Sequence, residues 1–129
     1  MINTSAFDYI NVLGKAADAA SKRNELIADN LANADTPNYK RKDINFEATL
    51  RKAMGASIYE TTDYKIDRIR NRDLNAKVYI DQVGYSYRAD GNNVDPETEA
   101  VYLAANQARY NGLTLSIDEE FKNLKAVMK

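Results

Sequence analysis

Apolar and small residues recur at helical spacing at both ends of the chain, and the two series mirror each other about its middle. Toward the N-terminus they fall at Ile10, Leu13, Ala17, Ala20, Ile27 and Leu31, with Asn24 as the polar member of the series. Toward the C-terminus Leu103, Asn106, Tyr110, Leu113, Ile117, Glu120, Leu124 and Val127 keep the same alternation of threes and fours. That spacing lines one stripe of an α-helix. Folded back antiparallel, the stripes set Leu13 by Ile117, Ala17 by Leu113, Ala20 by Tyr110, Asn24 by Asn106 and Ile27 by Leu103. Small residues face large ones and amide faces amide, and a polar pair on an apolar seam fixes register. The pattern predicts a mainly α fold. Long N- and C-terminal helices pair as an antiparallel coiled coil (1–35 and 96–129), and a small irregular or β segment (36–95) lies between them.

Local signals sharpen the boundaries. The spacing predicts a first helix over 5–34, with Ser5 as N-cap, Asp8 completing a capping box, and an Asp18–Lys22 pair one turn apart. At about 1.5 Å per residue it would be about 45 Å long, too long for a compact domain unless it projects or pairs. Residues 35–45 read as an extended loop. Within it Pro37 presets φ for a turn, and Asn38 tolerates the positive φ of the next position. Phe46, Leu50 and Met54 recur every fourth residue and predict a short helix over 46–54 that Gly55 ends. Val78 and Ile80, then Tyr85 and Tyr87, suggest a strand pair around Gly84. Asp95-Pro96-Glu97 combines an N-cap, proline at the first helical position and an acid in the first turn, so a second long helix should run from 96 to about 127. In it Asp118 and Lys122 are spaced to pair, and Gly112 suggests a close approach by a neighbour.

Composition narrows the chemistry. The 129 residues include no Cys, His or Trp but nine Tyr, with a net charge of −1. Without Cys there is no disulfide, thiolate nucleophile or thiolate metal site. Without His the commonest general base and transition-metal ligand are missing. The near-zero charge favours neither nucleic acid nor membrane, and no apolar run is long enough to span a bilayer. The first twenty residues lack the basic and compact apolar parts of a Sec signal. A calcium loop of the EF-hand type needs glycine at its sixth position, whereas in Asp90–Asp95 Gly91 is second, so that stretch reads as a turn and cap. Asn3-Thr4-Ser5 matches a glycosylation sequon, a motif short enough to arise by chance. No cofactor, metal or small-molecule substrate is expected, nor any catalytic constellation.

Two features point toward partners. Phe7, Val12, Leu26, Leu115, Phe121 and Met128 lie off the main seam, where sister molecules could cover them. Residues 37–72 hold nine Lys or Arg against five Asp or Glu, a net of about +4. Lys40–Lys42 and Lys65–Arg72 could therefore form a basic surface, which keeps a small nucleic-acid-binding or regulatory module open as an alternative.

A more specific signal closes the first helix. Ala28, Asn30, Leu31, Ala32, Asn33, Thr36, Pro37 and Tyr39 resemble the N-terminal signature of the bacterial flagellar rod, hook and related axial proteins. The continuation Lys42–Glu47, the stretch Asp90–Asp95, and the later Leu103-Ala104-Ala105-Asn106 and Tyr110-Asn111 resemble the proximal-rod (FlgB) family within that group. The family often has glycine after the proline, where this chain has Asn38. The resemblance implies a structural rod subunit of the basal body with no enzymatic role, exported by the flagellar type III apparatus. It also implies assembly in the periplasm with copies of itself, with other rod proteins and with the protein joining the membrane ring to the rod. In that setting the seam would hold the subunit together, Asn30, Asn33, Thr36 and Tyr39 would shape the helix-to-loop turn, and Phe7, Leu26, Leu115, Phe121 and Met128 would meet neighbours.

Overall fold

The computed structural model describes residues 5–69, 74–81 and 88–128. The elements are α1 (Ser5–Ala32), β1 (Lys42–Ile44), α2 (Phe46–Met54), α3 (Thr62–Ile69), β2 (Val78–Ile80) and α4 (Pro96–Val127). The fold is mainly helical, with a two-stranded sheet as its only β element among the described residues. The expected capping role of Ser5, the sequon, Arg70–Arg72, and Gly84, Tyr85 and Tyr87 lie outside what is described.

The two long helices pack along each other more extensively than any other pair of elements. Their order is antiparallel. Asn30 contacts Glu99, and Asn24 contacts Asn106 one to two turns earlier in α1 and later in α4. At the far end Tyr9 feels the charge of Glu120. α4 begins where its signals place it: the Asp95 carboxylate accepts from the Glu97 N–H at 3.2 Å, and Pro96 takes the first helical position. α1 ends at Ala32, two residues short of expectation. The chain there tightens, with the Ala34 N–H reaching only back to the Leu31 carbonyl, and then turns over Thr36–Tyr39. The Tyr39 N–H closes that turn on the Thr36 carbonyl, with Asn38 at φ 61°. A left-handed residue at that position is what a type II turn requires, and asparagine accepts it at small cost.

The core lies on the face of α1 next to the one that meets α4. Ala19 and Leu26 of α1 meet Ile44, Phe46, Ala53, Ile66, Ile69 and Leu74, with Tyr9, Val12, Ala16, Leu50 and Met54 packed around them. This corrects two expectations. Leu26 is only 5% exposed and Val12 is covered within the same chain, so Leu26 is not offered to a neighbour. The physical reason is that the central segment folds back onto α1 and supplies apolar cover of its own. α2 forms as its four-residue repeat predicts, and Gly55 ends it at φ 73°, its N–H bonding the Arg51 carbonyl. α3 arises in a stretch whose pattern is too weak to predict it, held to α1 by the Tyr9 hydroxyl donating to Asp63 at 2.9 Å.

Val78–Ile80 forms a strand as expected, while the pairing expected with Tyr85 and Tyr87 lies outside the described residues. Lys42–Ile44, inside the segment read as loop, is a strand instead and pairs with it in antiparallel register Lys42↔Ile80, Asp43↔Tyr79 and Ile44↔Val78. Ile44 is the anchor: it is buried in the core, so the residues around it extend across α1 rather than looping free. Among the charge pairs, Asp118 and Lys122 meet at 2.7 Å as expected, whereas Lys22 pairs with Glu25 rather than Asp18. Gly112 has open space around it within this chain.

Burial predicts a sharp contrast between two positions. Ile27→Ala, at a site almost fully enclosed, should cost about 2–5 kcal/mol in urea unfolding. Leu115→Ala, on the exposed side of α4, should change stability by less than about 0.5 kcal/mol.

Candidate functional site

Two regions carry the chemistry of this chain: a buried polar junction where α1, β1, the 88–95 loop and α4 converge, and the exposed side of α4.

The junction starts from Asn30, which is fully buried. Its Nδ2 donates to the Lys42 carbonyl at 2.9 Å and its Oδ1 accepts from the Lys42 N–H at 2.9 Å. The carboxamide thus bonds β1 along the edge opposite β2, as a third strand would. Nδ2 also reaches Glu99 Oε2 at 3.2 Å, and the Tyr39 hydroxyl donates to Asn30 Oδ1 at 3.3 Å. Glu99, at 1% exposure, has its other oxygen bonded by Arg41 Nε at 2.7 Å. Arg41 extends the network through Nη1 to Asp81 at 2.9 Å and through Nη2 to Asp43 at 3.3 Å, and its guanidinium lies 5.3 Å from the centre of the Tyr102 ring. Burial alone would lower the pKa of Arg41; the hydrogen bonds it donates to Glu99 and Asp81 outweigh that and raise the pKa. Arg41 is therefore a permanent cation set against the buried Glu99 side chain.

A second buried amide closes the C-terminus of α1. The last carbonyls of a helix have no partner within it. Asn92 Nδ2 donates to the carbonyls of Asn33 at 2.8 Å, Ala34 at 2.9 Å and Thr36 at 2.9 Å, while its Oδ1 accepts from the Val94 N–H at 2.7 Å. Arg88 Nη1 adds a bond to the Ala34 carbonyl at 2.7 Å. Asn33 Nδ2 bonds the Asp29 carbonyl, and Thr36 Oγ1 donates to Asn33 Oδ1. Asn93 completes the weave, accepting from the Arg41 N–H and donating to the Asp81 carbonyl, each at 2.7 Å. Asn38 and Gly91 touch here. A Cβ at Gly91, which sits at φ 73°, would lie 2.6 Å from Asn38 Oδ1, so only glycine fits this crossing.

A third polar cluster links four elements from the outside. Arg23 on α1 donates to Glu47 through both Nη1 and Nη2 at 2.7 Å, to Asp43 at 3.0 Å and to the Ile44 carbonyl at 2.7 Å. Arg109 on α4 reaches the same Glu47 at 2.8 Å. The Arg23 hydrogen bonds hold the Glu47 carboxyl down to about 2, well below its ordinary value.

The residues singled out in the sequence fall as follows. Along the α1–α4 contact Ala20, Ile27 and Asn106 are buried, Ile10, Leu13, Ala17, Asn24, Leu31, Leu103, Leu113, Ile117 and Leu124 are half-buried, and Tyr110 sits at the margin. Asn106 Nδ2 donates to Asn24 Oδ1 at 2.8 Å and to the Ala20 carbonyl at 2.7 Å. In the signature, Asn30, Asn33, Thr36 and Tyr39 join the junction, Leu31 is half-buried, and Ala28, Ala32 and Pro37 are exposed. Phe7, Leu115, Phe121 and Met128 are exposed and Leu26 is not. The basic stretch is largely committed inward. Lys40 bonds the Gly91 carbonyl, Arg41 is enclosed by carboxylates, and Arg68 pairs with Glu60 beside the Tyr64 ring. Glu99, Asn92, Arg23 and Arg88 were missed as structural residues. Asn92 could have been found from its place in a turn facing a helix end, but nothing in the spacing marks Glu99 as buried. Among the described residues no group of three or more His, Cys, Asp or Glu side chains is placed to hold a metal.

Comparison with known proteins agrees with this picture of a packing protein. A family model for the flagella basal body rod protein matches residues 10–40, the greater part of α1 and the turn after it. The flagellar basal body rod protein FlgB of Bacillus subtilis (strain 168) is 34% identical over 119 residues, covering 92% of each chain. FlgB of Borrelia hermsii is 32% identical over 93% of this chain and 95% of its own. FlgB of Salmonella typhimurium is 32% identical over 89% of this chain and 88% of its own.

Two outcomes follow from the polar clusters. Glu99→Ala takes one carboxylate partner from Arg41 and one acceptor from Asn30 in a buried site and should cost about 1–3 kcal/mol in chemical denaturation. Glu47 has a depressed folded pKa, so its contribution is present above the ordinary glutamate value near 4.5 and fades as pH falls toward about 2. Glu47→Gln should therefore destabilise the protein near neutral pH, by on the order of 1 kcal/mol because much of the side chain remains in water. The gap between variant and parent should close as pH drops from 4.5 to 2 in thermal melts.

Proposed function

This chain belongs to the FlgB family of flagellar basal-body rod proteins, and from that premise we propose that it polymerises through its terminal helices into the torque-transmitting rod. That it is a structural subunit of the basal body rod rather than an enzyme follows from the family. The finer mechanism rests on one observation. α4 packs on α1 along one stripe, yet large apolar side chains also line its other sides: Val101, Leu115, Phe121, Val127 and Met128 are all more than half exposed. A soluble monomer gains nothing from such a surface, whereas a subunit with neighbours on several sides buries it at roughly 25 cal/mol per Å².

In this reading the α1–α4 contact is an antiparallel coiled coil that forms the body of the subunit. Phe7, on the exposed side of α1, joins Leu115, Phe121 and Met128 in contacting adjacent subunits, which are copies of the chain, other rod proteins and the protein at the membrane-ring junction. The half-buried seam supports this, because a two-helix groove leaves flanks that a third and fourth helix can cover. The chain would leave the cell by the flagellar type III apparatus and assemble in the periplasm. Head-to-tail contacts between identical subunits would build a helical wall, as heterologous interfaces do when their rotation does not close. The alternative of a nucleic-acid module loses support from the inward commitment of Arg41 and Lys40.

The experiment separates seam from surface. Leu13→Asp or Ile117→Asp should destabilise the subunit itself and abolish both assembly and swimming. Phe121→Asp or Leu115→Asp should leave helix content and unfolding midpoint unchanged in the purified chain but block incorporation into basal bodies. Normal swimming by cells carrying Phe121→Asp and Leu115→Asp together would exclude the exposed side of α4 as the assembly surface.

A further inference from the structure

One buried oxygen on the α1–α4 seam has no donor among the described residues. Asn106 is 2% exposed, and its Nδ2 is spent on the Ala20 carbonyl and Asn24 Oδ1 of α1. Its Oδ1 is buried as well, and no described group donates to it. A buried acceptor in that state is costly, and a donor from outside the chain would relieve it. Asn106 is also one wall of a cavity of about 150 Å³ between α1 and α4. Its other walls are described residues of the two helices and of the segment around β1. Ile27 and Ala105 are apolar, Arg23, Arg41 and Arg109 bring guanidinium groups, and Asp43 brings a carboxylate. At roughly 30 Å³ per water the cavity has the volume of about five waters, enough for one side chain. The chemistry of the walls selects the occupant. Three cations against one anion disfavour a lysine or an arginine. A carboxylate would suit the guanidinium groups but has no proton for Asn106. A neutral group that both donates and accepts is left, a hydroxyl or a carboxamide.

On the reading that copies meet through the exposed side of α4, which this contact presupposes, we infer that the occupant is the Gln107 side chain of a second copy. Its Nε2 donates to Asn106 Oδ1 and its Oε1 faces the Arg109 guanidinium. Neutral donors on the exposed side of α4 are few. The Thr114 and Ser116 hydroxyls donate to the Asn111 and Gly112 carbonyls of their own helix. Tyr102 is itself a wall of the cavity, and Tyr110 lies at the margin of the seam. Exposed carboxamides remain at Gln107, Asn111 and Asn123, and glutamine has the longest reach. On the receiving side, Glu47 accepts from Arg109 Nη1 at 2.8 Å and holds the half-exposed guanidinium beside the cavity. Gln107 cannot serve its own chain. At about 100° per residue, helix positions two apart point about 160° from one another. Gln107 therefore stands on the opposite flank of α4 from Arg109 and the cavity. Each copy gives a side chain on one flank and receives one on the other. Such a heterologous contact repeats from copy to copy, as a rod requires.

Competition for places in the rod tests the contact. In cells making a tagged variant beside the unaltered chain, the readout is the ratio of the two in purified basal bodies. Gln107→Glu keeps the shape of the side chain but replaces its donor with a carboxylate, and Ala105→Leu fills the cavity from its own wall. Both positions are exposed, so the unfolding midpoint of the purified chain should not change. Each variant should be depleted at least about fivefold, the effect of a buried group left without its partner. The place of contact is read separately, because the protein has no cysteine of its own. In basal bodies holding both Ala105→Cys and Gln107→Cys chains, a short bismaleimide should join one to the other. Tyr59→Cys, an exposed control, should give no such product with Gln107→Cys. Parity of either Gln107→Glu or Ala105→Leu with the unaltered chain, the outcome if only a water meets Asn106, would overturn the proposal. Absence of the cross-link between positions 105 and 107 would do the same. The double variant Phe121→Asp, Leu115→Asp in the same competition separates this contact from the wider reading. Its depletion while Gln107→Glu stays at parity keeps the exposed side of α4 as the assembly surface and removes Gln107 from it. Parity of the double variant as well removes the surface itself.

Discussion

The carboxamide of Asn30 satisfies three obligations at once, and the rest of the fold is arranged around it. It pairs both backbone groups of Lys42, so the edge of β1 is closed without a third strand, and it donates to Glu99 at the start of α4. Buried backbone groups need partners, and a buried carboxylate needs donors. One side chain on the last turns of α1 therefore determines where the chain returns after the Thr36–Tyr39 turn and how α4 is seated. Arg41 enters the junction because β1 is held in this place, and Arg41 in turn gives the buried Glu99 a donor. The Asn92 cap acts on the same corner from the other side, filling the helix end that the turn would otherwise leave open.

From that corner α1 becomes a two-sided beam. One side carries the stripe from Ile10 to Leu31 and meets α4. The other carries Val12, Ala16, Ala19 and Leu26 and meets β1, α2 and α3. The central segment is thus the cover for half of α1 rather than an appendage. Among the described residues α4 has no such apolar cover: it is packed along one stripe, and large apolar residues on its other sides are exposed. The two helices look alike as sequences and differ in structure because the apolar residues of the described central segment pack on the first, while its contacts with the second are polar ones from Arg41 and Glu47.

Local signals were legible wherever a few adjacent residues decide the outcome. Asp95-Pro96 set the start of α4, the Phe46–Leu50–Met54 repeat and Gly55 bounded α2, and Pro37-Asn38 specified a turn with positive φ. Periodicity showed that α1 has apolar residues on more than one side but could not say what covers each, so Leu26 was assigned to a neighbour and is found in the core. The β1–β2 pairing joins two three-residue strands far apart in sequence, and nothing local announces it. The charged residues were the least readable. Arg23, Arg41 and Glu99 have the composition of a solvated face, and only the arrangement of their partners shows that they are structural. The family resemblance covered Asn30, Asn33, Thr36, Tyr39 and the stretch holding Asn92 but not Glu99, which Asn30 engages from the far end of the chain.

These buried polar groups act on register more than on depth of stability. The α1 side of the seam carries Ala17 and Ala20 at its middle, and alanine packs almost as well when a helix slides by a turn. Polar pairs do not. A one-turn slip would separate Asn106 from Asn24 and the Ala20 carbonyl, and Asn30 from Glu99. Each buried group left without a partner costs about 1–3 kcal/mol. Apolar contact alone would leave several alignments close in energy, and the amides reject all but one. A subunit whose outer residues meet neighbours needs that single alignment, since a turn's slip moves every exposed side chain of α4 by about 5.4 Å relative to α1.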